Sequence, residues 1–247
     1  MTASSPIQSS DAGNFSAAAF AAKALSNWQS LAAIIDHTLL KPEATQAQIE
    51  KLCAEAVQYR FACAMVNPIW ASVAVDKLSE TGIPVGVVIG FPLGASLVST
   101  LRQEAAALIG LGVSELDMVL PIGLLKSGDI AAVKRTIRAV ATVAHHRKAR
   151  LKVILETCLL TEAEKLSASE IAIQTGADFI KTSTGFSSGG ATTADVALMR
   201  GVAGARCGVK ASGGIRTLAQ VRALLEAGAS RIGASASVAI VRELGAK

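Results

Sequence analysis

The chain has 247 residues and a formal net charge of +5, with 51% hydrophobic but only 4% aromatic residues, so one domain with a core of Ala, Val, Ile and Leu is expected. The basic residues are scattered and there are few rings to stack on bases, which argues against a nucleic-acid partner; no apolar run is long enough to read as a membrane span. Cys53, Cys63, Cys158 and Cys207 form no C-x-x-C, and His37, His145 and His146 complete no zinc spacing, so we expect reduced thiols in a cytoplasmic protein, no metal, and a small anionic ligand rather than a polymer.

Residues 1–14 are rich in Ser, Ala, Thr, Asp and Gly without periodicity and read as a flexible tail, which leaves 15–247 as the folded domain. Phe15 to Leu25 follows no basic region and reads as an amphipathic leading helix rather than a signal peptide. From Leu31 onwards, short β-branched runs alternate with segments of helical period. The predicted strands are Ala33–Leu40, Ala62–Asn67, Pro84–Gly90, Glu115–Leu120, Leu151–Thr157, Phe179–Thr184, Val209–Gly213 and Arg231–Ser235. Between them, Thr45, Ser96, Asp129, Thr161, Thr193 and Thr217 stand where helices should open, and Gly176, Gly204 and Gly228 where helices should stop. Eight strands joined through helices close most simply into a (β/α)8 barrel, an α/β fold. An open doubly wound sheet is the alternative. It would place its glycine-rich loop after the first strand, whereas here the glycines gather late, where a barrel has its usual phosphate site.

Four consecutive predicted strands each carry one ionisable residue among apolar neighbours: Asp117, Lys152, Lys181 and Lys210. Any one of them could be a strand-end residue whose head reaches solvent. Together they ask for a shared cavity with three positive charges and one negative, in which crowding favours the neutral form of one lysine. A neutral amine is what Schiff-base chemistry needs, because an ammonium has no lone pair with which to attack a carbonyl. Lys181 is the expected nucleophile, Lys210 the cation that keeps it deprotonated, and Asp117 the general acid and base.

The motifs around these residues agree in order and spacing with a known family. They include Asp36-His37-Thr38-Leu39-Leu40-Lys41-Pro42, Val66-Asn67-Pro68, Gly90-Phe91-Pro92-Leu93-Gly94 and Glu115-Leu116-Asp117-Met118-Val119. Further along come Lys152-Val153-Ile154-Leu155-Glu156-Thr157, Phe179-Ile180-Lys181-Thr182-Ser183-Thr184-Gly185-Phe186, Val209-Lys210-Ala211-Ser212-Gly213-Gly214-Ile215-Arg216 and Arg231-Ile232-Gly233-Ala234-Ser235. From Ile35 to about Ser237 the chain resembles the deoxyribose-phosphate aldolase family of class I, Schiff-base aldolases. The resemblance implies reversible cleavage of 2-deoxy-D-ribose 5-phosphate to D-glyceraldehyde 3-phosphate and acetaldehyde, part of deoxyribonucleotide catabolism. It maps the Schiff-base lysine onto Lys181, the second catalytic lysine onto Lys210 and the proton-transferring aspartate onto Asp117, and it implies no metal or organic cofactor. Lys152 would support this group. Thr184 and Asp36 would meet the sugar hydroxyls, although Asp36 could equally be an N-cap or a lysine's partner. Gly185, Gly213, Gly214, Gly233, Ala234 and Ser235 would hold the phosphate. The sugar phosphate and acetaldehyde would be the only partners apart from a second copy, in a homodimer.

Departures from the family pattern are few. Ala236 stands where some members carry a second serine, and Met65 where many carry a cysteine. The only tyrosine is Tyr59, whereas some members end in a tyrosine that assists proton transfer, so a slower enzyme or a water in that role is expected. His37 reads as a structural hydrogen-bonding residue, and Trp28 and Trp70 as packing residues. The rival readings are a Schiff-base aldolase for a keto acid or a longer sugar phosphate, a phosphate-binding barrel isomerase without a covalent lysine, and a non-catalytic sugar-phosphate binder.

Overall fold

The computed structural model describes residues 15–247, so the expected tail at 1–14 lies outside the described residues. Eight parallel strands close into a barrel in sequence order: β1 (Ile35–Leu39), β2 (Cys63–Val66), β3 (Val85–Ile89), β4 (Glu115–Val119), β5 (Arg150–Ile154), β6 (Phe179–Lys181), β7 (Gly208–Ser212) and β8 (Arg231–Ala234). Every predicted strand is present, each trimmed by a residue or more at one or both ends. Barrel closure is made by β1 and β8, with Asp36 opposite Gly233 and His37 opposite Ala234.

Around the barrel run α1 (Ala17–Ala24), α2 (Trp28–Ala32), α3 (Gln46–Tyr59), α4 (Ala71–Leu78), α5 (Val98–Gly110), α6 (Ile122–Lys126), α7 (Ile130–His146), α8 (Glu162–Gln174), α9 (Thr193–Ala203), α10 (Leu218–Glu226) and α11 (Ser237–Glu243). Thr45, Thr161 and Thr217 open α3, α8 and α10 through capping boxes with Gln48, Glu164 and Gln220, and the Asp129 carboxylate caps α7. Two expected caps move. Leu97, not Ser96, precedes α5 and gives no side-chain cap, and α9 opens on Thr192, whose hydroxyl accepts from Asp195 N at 3.0 Å. At α9 the adjacent Thr192 and Thr193 look alike in the sequence, whereas α5 starts from Leu97 with no side-chain cap at all. Ala71–Leu78 carried no capping signal, because it starts from Trp70 after a one-turn 3-10 helix at Pro68–Trp70.

Alternation along the strands divides the barrel wall into two faces. Ala64, Val66, Val87, Ile89, Leu116, Met118, Leu151, Val153, Ile180, Val209, Ala211 and Ile232 belong to the large apolar cluster shared with the helices. In α7, Val133, Thr136, Ile137, Val140, Ala141 and Ala144 are buried at helical spacing and complete that layer. The other parity faces the barrel axis. Leu40, Cys63, Met65 and Val88 form a small separate apolar cluster there, and Asp36, Glu115, Asp117, Lys152, Lys181, Lys210 and Arg231 fill most of the remainder.

Gly208 is where this interior is tightest. A Cβ added there would lie 2.2 Å from the Phe179 ring, so the ring can enter the barrel only because residue 208 has no side chain. Gly208→Ala is expected to destabilise the protein by roughly 1–3 kcal/mol through overpacking. Urea denaturation checks it: the midpoint should fall while the slope stays constant, and an unchanged midpoint would show that the ring is free to move aside.

Candidate active site

Lys181 ends β6 at the C-terminal rim of the barrel, the face where enzymes of this architecture carry their chemistry. Parallel register places it opposite Lys210 on β7, and Lys152 on β5 opposite Asp117 on β4. All four residues singled out from the sequence therefore meet inside one barrel. Lys152 and Lys210 are 0% exposed and Lys181 3%, a degree of burial that lysine reaches only when its charge is paired or lost.

Asp117 is the hub of the site. Its Oδ2 accepts from both Lys181 Nζ and Lys210 Nζ at 2.7 Å, and its Oδ1 accepts from Lys152 Nζ, also at 2.7 Å. Lys210 donates in addition to Asp36 Oδ2 at 2.5 Å. Lys152 Nζ lies 2.6 Å from Glu115 Oε2 and 3.6 Å from Asp36 Oδ2. Arg231 closes the array, with Nη1 at 3.2 Å from Asp36 Oδ1 and Nη2 at 3.0 Å from Glu115 Oε1. The expected content of three positive charges and one negative is thus too small: four buried cations face three buried carboxylates. Glu115 and Arg231 were missed as site residues, although both lie on the inward parity of strands already chosen, Glu115 two residues before Asp117.

Charge partners are shared unequally, and this separates the lysines chemically. Among the described residues Lys152 pairs with three carboxylates, Lys210 and Arg231 with two each, and Lys181 with Asp117 alone, at an oxygen it shares with Lys210. Burial on its own would lower the pKa of Lys152, but Asp117, Glu115 and Asp36 outweigh it and hold that amine well above its ordinary value. For Lys181 burial is also the largest influence; Lys210 and Lys152 reinforce it, Asp117 opposes it, and the pKa falls to about 8. The lowering expected for Lys181 is found, with a different leading cause: removal from water comes first and crowding by Lys210 second. Burial would raise Asp117, yet Lys152, Lys181 and Lys210 hold it well below the usual carboxylate range. Asp36 is likewise held at about 2, against its burial, by Arg231, Lys210 and Lys152. Of the three roles left open for Asp36, the structure shows the lysine's partner.

Asp36, Cys63 and Glu115 offer three ligand atoms within 4.8 Å of one another. As a metal-binding set they are poor, since Arg231 and Lys152 already neutralise the carboxylates and burial pushes the Cys63 thiol well above its ordinary value.

The glycines expected at a phosphate site divide into two groups. Gly213 (φ +91°) and Gly214 (φ +78°) turn the chain after β7, and a Cβ on Gly213 would stand 3.7 Å from Gly185 Cα, so the loops after β6 and β7 meet. Ser235 is exposed just past β8, after buried Ala234. Gly233, near the end of β8, also faces the barrel: a Cβ there would lie 3.0 Å from Lys210 Cε and 3.1 Å from Ser212 Cβ. It lines the barrel and leaves room for the Lys210 side chain. Thr184 is also committed, with its hydroxyl donating to Glu156 and accepting from Phe186 N at 3.0 Å. His37, as expected, is structural: it is buried against Phe61 with Nε2 2.9 Å from Glu55. Trp28 packs edge-on against Tyr59, whose hydroxyl meets Arg242 at 3.0 Å.

Comparison with known proteins agrees with this geometry. The model of the DeoC/LacD family aldolases matches residues 30–243. The chain is 54% identical over 211 residues to a Geobacillus deoxyribose-phosphate aldolase, covering 85% of this chain and 94% of that one. It is also 54% identical to the enzyme of the same name from Thermococcus gammatolerans, covering 85% and 95%. Among solved structures, the tetrameric deoxyribose phosphate aldolase of Aeropyrum pernix superposes with a TM-score of 0.86 at 32% identity, covering 92% of this chain and 96% of that one. With a closed barrel, a lysine of lowered pKa at its rim and a family match across nearly all of the fold, the chain belongs to the DeoC/LacD family of aldolases.

Proposed function

We propose that the chain cleaves 2-deoxy-D-ribose 5-phosphate reversibly to D-glyceraldehyde 3-phosphate and acetaldehyde, with Lys181 as the amine that carries the substrate. The observation that supports this most strongly is the Lys181–Asp117–Lys210 arrangement. Two amines share one carboxylate oxygen, and the one without a second carboxylate is the one shifted toward neutrality.

In this reading neutral Lys181 attacks C1 of the open-chain sugar. The resulting carbinolamine loses water as Lys210 gives up a proton to the departing hydroxyl, and a protonated imine forms. Lys210, having given up its proton, takes one back from the C3 hydroxyl, which breaks the C2–C3 bond and releases glyceraldehyde 3-phosphate. The electron pair of that bond forms the C1–C2 double bond as the C=N π pair moves onto the imine nitrogen, giving an enamine. Protonation at C2 and addition of water then release acetaldehyde and restore the amine. Asp117, held far below the usual carboxylate range, stays ionised and orients the Lys181 and Lys210 amines, and Lys210 takes the acid role that the sequence had assigned to Asp117. Gly185, Gly213, Gly214, Gly233, Ala234 and Ser235 sit at three successive strand ends, where backbone N–H groups and the Ser235 hydroxyl suit the 5-phosphate. Lys152 and Asp36 keep the charges in place from below.

We also propose a homodimer, noting that the Aeropyrum relative is tetrameric. A cytoplasmic setting suits the exposed free thiol of Cys158. Among the described residues no helix is long and apolar enough to cross a membrane.

Turnover of 2-deoxyribose 5-phosphate, followed by acetaldehyde release, tests the reaction directly. The same assay carries a pH prediction. With the Lys181 amine at about 8, kcat/KM should rise about tenfold per pH unit on the acid side and level off above about pH 9. A profile that is flat across this range would detach the reaction from that amine.

A further inference from the structure

Glu156 has no part in the chemistry above, yet it is 2% exposed and sits where the chain leaves β5. Its backbone lies in the left-handed region (φ 56°, ψ 64°), which disfavours any residue with a Cβ and persists only where surrounding contacts enforce it. Those contacts are with one loop. The carboxylate accepts from Thr184 N at 3.3 Å and 3.4 Å and from the Thr184 hydroxyl, and Cys158 Sγ approaches at 3.9 Å. Cys158 in turn meets Ser187 Oγ at 3.4 Å, and a Cβ on Gly189 would stand 2.6 Å from Cys158 Cβ. On its far side the loop is held by Ala191 N donating to Gly213 O at 3.0 Å. The segment from Thr184 to Ala191 is therefore clasped between the ends of β5 and β7, and Glu156 is the clasp nearest Gly185.

We propose that Glu156 is a positioning residue for phosphate recognition. By holding Thr184, it sets the peptide of Gly185, three to four residues beyond Lys181, so that its N–H faces the 5-phosphate. This rests on the phosphate reading given above. A carboxylate near an expected dianion is tolerated because its lone pairs are turned away into the Thr184 donors. The role is selective: loosening the clasp should harm binding of the phosphate ester and leave the aldehyde end of the substrate, next to Lys181, largely as it was.

The test compares 2-deoxyribose 5-phosphate with unphosphorylated 2-deoxyribose in wild type, Glu156→Gly and Glu156→Gln. Glycine suits the left-handed backbone while removing the carboxylate; glutamine keeps the shape but brings an NH2 toward Thr184, and it reads the same ratio if the glycine variant fails to fold. The expected result is KM for the phosphate ester raised about tenfold, with KM for the free sugar and both kcat values changed by less than about threefold. Thr184→Val should give the same selective loss, and Glu156→Gly/Thr184→Val should add nothing to it. Equal losses on both substrates, or an unchanged ratio of the two KM values, would overturn the proposal. A wild type that does not prefer the phosphate ester at all would instead remove the phosphate reading on which it rests.

Discussion

Replacing Lys181 with alanine is expected to reduce kcat by about 10⁵-fold, the scale on which removal of an activated nucleophile acts. The loss should be this large because no neighbouring lysine can substitute. Lys152 lies in the same array, but three carboxylates keep it protonated and its Nζ is turned toward Glu115 and Asp117. Lys210 is bound between Asp36 and Asp117. Lys181→Arg should be equally inactive while keeping the positive charge, which separates loss of the nucleophile from loss of a cation. Steady-state turnover of 2-deoxyribose 5-phosphate checks both variants, and substantial activity in the arginine variant would favour an isomerase-like reading without a covalent step. Lys210→Met should lose less, about 10²–10⁴-fold, in keeping with a proton-transfer role.

The largest effect on stability should come from Lys152→Met. The substitution nearly preserves volume but withdraws the cation from Asp117 Oδ1 and Glu115 Oε2, at 2.7 Å and 2.6 Å, in a region with no access to water. Breaking a buried ion pair on one side costs about 3–5 kcal/mol, against a total stability of only about 5–15 kcal/mol for a domain. Chemical denaturation should show a markedly lower midpoint, and Lys152→Met/Glu115→Gln should recover part of the loss by removing a stranded charge. A midpoint within experimental error of wild type would show that the array does not depend on Lys152. Lys181 acts in the opposite sense. Its folded pKa of about 8 lies below the ordinary 10.5, so between those values the unfolded chain binds more protons. Its contribution is therefore least favourable below about pH 8 and improves as pH rises toward 10.5. The residue proposed to do the chemistry is held at the expense of stability, and the carboxylates that hold it depend on Lys152, Lys210 and Arg231.

The barrel could be read in the sequence because its strands are short β-branched runs separated by helices with Thr and Asp caps. Thr45, Asp129, Thr161 and Thr217 stand where the sequence placed them. The α4 helix was harder to see, since it emerges from a 3-10 turn at Trp70 with no capping side chain. At the site, Lys152, Lys181, Lys210 and Asp117 were visible as charges among apolar neighbours. Glu115 and Arg231 were not, because each lies at the first position of its strand, where a charged residue looks like the solvated edge of an element. Only parallel register and closure between β8 and β1 bring Arg231 onto both Asp36 and Glu115. The ranking of influences on Lys181 was also beyond the sequence: crowding by Lys210 can be guessed from adjacent strands, whereas the extent of burial depends on how the barrel is filled. A second task of Gly233 was hidden for a related reason. A glycine at a strand end reads as a turn or an anion site, and the space it gives to Lys210 is seen only once that side chain is placed.

The central claim is that Lys181 is the amine that bonds covalently to the substrate. Borohydride reduction in the presence of acetaldehyde, followed by intact-mass measurement and peptide mapping, tests it most directly. One ethyl group per chain, located on Lys181 and absent from Lys181→Ala, is the predicted result; a label on Lys152 or Lys210, or none in the active wild-type enzyme, would contradict it.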